Sequence, residues 1–242
     1  MEGNLQKRIG KFMGGSKKGY QTAFHMAWPA VMESFFIALA GMVDSLMVSS
    51  IEAYAVAAVG LTTQPKFIGL CLFIAMNVSV SALVARRRGE EDKKGANQVL
   101  LMAVAFTVLA GAVISLICVA FANPIIAFCG ANEDTHESAV IYFRIIMGGM
   151  MFNIITMVIN AAQRGAGNTK IAMRTNVTSN LVNMVFNYLL IGGNFGFPRL
   201  EIAGAAIATV LGTVVACVMA VCSILPKDHF ISIPYIIKER VR

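Results

Sequence analysis

The chain has 242 residues, of which 57% are hydrophobic and only 14% charged. Soluble domains run at about 45–50% apolar and about 25% charged, so these values exclude a disordered chain, a disulfide-stapled mini-protein and an ordinary soluble domain. The formal charge of +7 collects between apolar runs, which speaks against a nucleic-acid-binding surface and for an all-α membrane protein.

A membrane crossing needs about 20 apolar residues, and six such runs are predicted. Residues 1–23 read as a basic cytoplasmic tail with Lys7, Arg8, Lys11, Lys17 and Lys18. The run that follows is too long for the apolar part of a signal peptide. The first span, 24–49, contains Glu33 and Asp44, eleven residues apart. Eleven helical steps bring the two acids to within about 20° of each other and about 16 Å apart along the axis. The second span, 54–85, is interrupted by Pro65, where a kink or break is expected. Lys66 beside it reads as an interfacial anchor. The third span, 99–121, carries no charge.

The fourth span, 138–162, repeats polar residues at Asn153, Thr156 and Asn160. Arg144 near its outer end reads as a side chain snorkelling to the interface, with pairing to Asp44 as the alternative. The fifth, 171–192, places Asn176, Asn180, Asn183 and Asn187 at spacings of 4, 3 and 4, one stripe on one helix face. The sixth, 202–225, carries Thr209 and Thr213 one turn apart, and Pro226 ends it. Residues 226–242 read as a cytoplasmic tail or a linker.

Lysines and arginines favour cytoplasmic loops. With the amino terminus inside, 17 of the 20 fall on the cytoplasmic side, and only Lys66, Arg144 and Arg199 do not. The 3–4 loop on the other side carries Glu133, Asp134 and Glu137. The expectation is six spans with both ends in the cytoplasm.

Acids and amides are costly in hydrocarbon and face protein or water. Three striped helices and one acid-bearing helix therefore predict a polar chamber within a bundle. Glu33, Asn153, Thr156, Asn176 and Asn180 are candidate lining residues. Asparagine and threonine also serve as interhelical glue, at about 0.6 kcal/mol each, so for any one of them packing is an equal reading. An acid in such a chamber can take up a proton, or hold a small cation together with amide and hydroxyl oxygens. The five cysteines have no metal-ligand or disulfide pattern and read as packing residues. No Walker A, H-E-x-x-H or G-x-S-x-G sequence occurs, and no enzymatic activity is expected.

Five stretches in order resemble the multidrug and toxic compound extrusion (MATE) family. They are G-M-V-D-S-L-M-V at 41–48, A-A-V-G-L-T-T-Q-P at 57–65 and A-L-V-A-R-R-R-G-E-E-D-K-K-G-A-N at 82–97. N-A-A-Q-R-G-A-G-N-T-K at 160–170 and I-A-G-A-A-I-A-T-V at 202–210 complete the set. The resemblance covers about residues 24–225. It implies a multi-pass protein of the cell membrane that exports organic cations and amphipathic drugs in exchange for H⁺ or Na⁺. It implies a six-helix lobe, the amino-terminal half of a twelve-helix fold. It carries the coupling site onto Asp44, Asn160, Asn183, Asn187 and Thr209, with Na⁺ expected at Asp44, Asn183, Asn187 and Thr209. Some members have an acid where this chain has Asn187, and the Gln163-Arg164-Gly165 step is a variant of the usual form. A single lobe cannot enclose a cavity between two, so a truncated record, a second chain or a second copy is expected to account for the other half. The alternatives are a lipid-linked oligosaccharide flippase of the same superfamily, which calls for cations within the chamber, and a non-transporting scaffold or fragment.

Overall fold

A computed structural model describes residues 17–51, 53–226 and 230–232. The basic residues Lys7, Arg8 and Lys11 of one tail, and Lys227, Lys238, Arg240 and Arg242 of the other, lie outside the described residues. Among the described residues all regular structure is helical: α1 (Lys17–Ser49), α2 (Ala53–Gly89), α3 (Lys93–Ala120), α4 (Ala122–Phe128), α5 (Glu133–Gly148), α6 (Met150–Gly165), α7 (Thr169–Gly192) and α8 (Glu201–Ser223), with a 3₁₀ turn at Asn194–Gly196.

The α1, α2, α3 and α8 helices are each long and apolar enough to cross a membrane. The α5 and α6 helices form a fifth such unit, bent by 46°. The fourth predicted span is thus two helices meeting at Gly149. A β-carbon there would lie 2.5 Å from Cγ2 of Val210, so the missing side chain lets α8 approach the bend. The α7 helix has 24 residues, about 36 Å, which is length enough to cross. Its asparagine stripe is what sets it apart in composition.

Of the kink or break expected at Pro65, the break does not occur. The α2 helix runs through it as one element. Proline removes one helical hydrogen bond, but breaking the helix further would strand more backbone groups where no water can satisfy them. In the preceding turn the hydroxyls of Thr62 and Thr63 donate to the Val59 carbonyl at 2.7 and 3.2 Å.

Small residues bring the helices together. On α8, β-carbons at Gly204 and Gly212 would each lie 2.7 Å from a backbone oxygen of α7, those of Leu190 and Ser179. Two glycines two turns apart open one face of α8 to α7, as membrane helix pairs require. The interior holds two apolar clusters, one around Phe73, Phe143 and Met147, the other around Val84, Leu100 and Val158. Large apolar side chains such as Ile68, Leu109 and Leu116 point outward. A soluble bundle would waste this surface, whereas a bilayer solvates it. The α1 helix lies at the margin and packs chiefly on α7.

Candidate functional site

The two acids of α1 both meet α7, in one register. Asn187 Nδ2 donates to Asp44 Oδ1, and Asn176 Nδ2 donates to Glu33 Oε1. Both pairs are separated by 143 positions, so α1 and α7 run parallel with an eleven-residue repeat. Three helical turns take about eleven residues, which is why acids and amides at this spacing stay in step on two packed helices.

The Asp44 pair ends a relay. Asn187 also donates to Asn183 Oδ1 at 3.4 Å, Asn183 donates to Thr209 Oγ1 at 3.1 Å, and Thr209 donates to the Ala205 carbonyl at 2.9 Å. Asp44, Asn183, Asn187 and Thr209, expected together, are therefore together. Asn187 is fully buried, yet its Oδ1 has no hydrogen-bond partner. A buried orphan acceptor is costly and calls for a donor or a cation. One carboxylate with neutral amide and hydroxyl oxygens is a donor set that fits a hard monovalent cation or a proton.

The second pair is completed differently. Arg164 of α6 lies 3.6 Å from Glu33 Oε1, and Asn160 donates to Asn176 Oδ1 at 3.5 Å. Asn160, expected with Asp44, sits instead in this Glu33 cluster. The reason is depth: Asn160 is one turn from Arg164 near the end of α6, level with the start of α7. Glu33 and Asn176, expected only as chamber lining, are its centre.

The remaining candidates divide. Asn153 lines a cavity of about 210 Å³ with Lys66, Thr209 and Thr213. Thr156 is buried and spends its hydroxyl proton on the Phe152 carbonyl at 2.7 Å. Asn180 is half-buried and joins neither cluster.

Lys66 corrects an expectation. It is no interfacial anchor: its side chain turns inward, lines that cavity, and interacts electrostatically with Asp44. A count along α2 would have found this, since Lys66 lies thirteen residues past Ala53, about 20 Å along the axis. Tyr142 of α5, buried within electrostatic reach of Asp44, had no sequence signal. Arg164 had one, its one-turn spacing from Asn160. Arg144 is exposed and does not pair with Asp44. All five cysteines are free thiols.

A family model described as MatE matches residues 29–189. The "Probable multidrug resistance protein NorM" of Thermotoga maritima is 27% identical over 205 residues, covering 85% of this chain and 44% of that protein. The "FAD transporter" of Shewanella oneidensis is 28% identical over 192 residues, covering 79% and 42%. The solved structure of a MOP superfamily transporter from Pyrococcus furiosus superposes with a TM-score of 0.79 at 26% identity, over 88% of this chain and 46% of that one. The chain spans less than half the length of these relatives.

Proposed function

The chain belongs to the MatE family, and on that premise we propose that it forms the first lobe of a cation-coupled exporter of organic cations and other amphipathic drugs. It is a multi-pass membrane protein. In this reading it lies in the cytoplasmic membrane, with six spans at about 24–49, 54–85, 99–121, 138–162, 171–192 and 202–225 and both termini inside. The tail from 226 leads toward the second lobe, supplied by further chain, a partner chain or a second copy.

The observation that carries the reading is the buried, unpartnered Asn187 Oδ1 beside the Asp44 carboxylate. Asp44 takes the coupling ion. A proton neutralises the carboxylate and weakens its charge-assisted bond from Asn187, since bonds to ionised groups are about twice as strong. Na⁺ takes oxygens of Asp44, Asn187, Asn183 and Thr209 in place of water. Either event changes how α1 is held on α7, and the lobe then rocks to alternate access, with substrate released as the ion binds. With one carboxylate in the set, Na⁺ is held more weakly than by members that have two. Glu33 keeps α1 fixed at its other end through Arg164.

The test is drug efflux from membrane vesicles under an imposed proton or Na⁺ gradient. Asp44→Asn reduces efflux to the level of empty vesicles, while Glu33→Gln retains it. Efflux undiminished in Asp44→Asn overturns the reading.

Lys66 favours a second reading, in which the cargo is anionic. An ammonium is the charged group lining the 210 Å³ cavity, and one relative carries the name of an FAD transporter. Here Lys66→Gln abolishes transport of an anionic dye and spares a cationic one.

A further inference from the structure

On its outer side the α1–α7 pair leaves a groove of about 520 Å³. Its walls are apolar: Trp28, Met32 and Phe36 on α1, one turn apart in succession, face Met173 and Val177 of α7. Its polar end carries two cations, Lys170 and Arg174, one helical turn apart on α7. Both are exposed, and neither forms an ion pair among the described residues. The register that sets Asn176 against Glu33 sets Lys170 level with Ala27 and Arg174 level with Val31, each next in sequence to Trp28 and Met32, so charge and indole share one end. Phe36 and Val177 lie farther along, toward the middle of the spans.

We propose that this groove binds an anionic phospholipid of the leaflet that faces Lys170 and Arg174. The chemistry runs along the groove as it runs along the lipid. Two unpaired cations meet the phosphate and any further headgroup charge. The Trp28 indole sits at headgroup depth, where amphipathic rings concentrate. The apolar walls take the acyl chain. A soluble acidic peptide would satisfy the cations but not the apolar walls, and a neutral lipid would do the reverse. This end is also the one where the basic loop residues collect, the side on which basic clefts between spans recruit anionic headgroups. A bound lipid would brace α1, which has few other neighbours, against α7.

Trp28 is the single tryptophan of these 242 residues, so the fluorescence of this chain reports the groove. The experiment reconstitutes the protein in phosphatidylcholine and replaces part of the lipid with chain-brominated phosphatidylglycerol or chain-brominated phosphatidylcholine. Bromine quenches the indole only on contact. Phosphatidylglycerol is expected to occupy the groove with a preference of at least about fivefold, the effect of one cation near a membrane surface. In Lys170→Gln/Arg174→Gln the preference falls to about one, while Lys170→Arg/Arg174→Lys keeps it. Equal quenching by the two lipids in the unaltered protein overturns the proposal, whatever the variants do. So does a preference that survives loss of both cations. Absence of quenching by either lipid overturns it as well, because protein rather than lipid then covers the groove.

Discussion

The two ends of the α1–α7 contact use the same chemistry with different outcomes. At each end an α7 asparagine amide donates to an α1 carboxylate, with the same offset of 143. At the Glu33 end the carboxylate has a guanidinium 3.6 Å away, and charge is nearly balanced within the protein. At the Asp44 end there is no ion pair among the described residues; Lys66 acts on the carboxylate electrostatically without one, and the amide oxygen beside the carboxylate has no partner. An ion pair that carries its own counter-charge has little use for an external cation. Each end has an orphan amide oxygen, Asn187 Oδ1 beside Asp44 and Asn160 Oδ1 in the Glu33 cluster, so the guanidinium is what differs, and an acid without one keeps its use for a cation. On the proposed function, the difference makes the Glu33 end a fixed attachment and the Asp44 end the working end.

The comparison is broken most severely at Asp44. On the proposed function, Asp44→Asn is expected to remove ion-driven efflux altogether, with vesicle transport as the measurement. Asn187→Asp sharpens the contrast by adding a second carboxylate. It tightens Na⁺ binding on the order of tenfold, since ligand charge sets the affinity of such sites, and isothermal titration measures it. Lys66→Gln removes the internal cation that competes at Asp44. Na⁺ affinity in the same titration is expected to rise about fivefold, the scale of a charge acting across a partly screened interior. At the other end, Arg164→Gln or Glu33→Gln costs about 1–2 kcal/mol of stability, read from thermal unfolding in detergent, and leaves the ion response in place. Asn180→Ala, on the same stripe but in neither cluster, changes stability by less than about 0.5 kcal/mol.

The stripe on α7 shows how far the sequence alone could go. Spacings of 4, 3 and 4 put four asparagines on one face, and the eleven-residue interval between Glu33 and Asp44 put both acids on another. Each interval follows from helix geometry. That the two faces meet, in parallel and in step, depends on which helices neighbour each other, and periodicity within one helix carries no such information. For the same reason Asn160 was assigned to the wrong acid: its face was legible, its level against α7 was not. Lys66 failed on a different ground. Its neighbour Pro65 drew the expectation of a kink or break, and an unbroken α2 instead carries the ammonium into the interior. The bend at Gly149 had a signal in the Gly148-Gly149 pair, since glycine pairs are where helices kink, whereas the close approach of Val210 from α8 was not legible within one helix.

The central claim is that Asp44, and not Glu33, is the acid that answers to the ion. Infrared difference spectroscopy of the purified protein, recorded between two pH values and between Na⁺-free and Na⁺-loaded states, observes carboxyl groups directly. An ion-induced carboxyl band should be present in the unaltered protein and in Glu33→Gln, and absent in Asp44→Asn. A band that persists in Asp44→Asn, or vanishes in Glu33→Gln, would contradict the assignment of the working end.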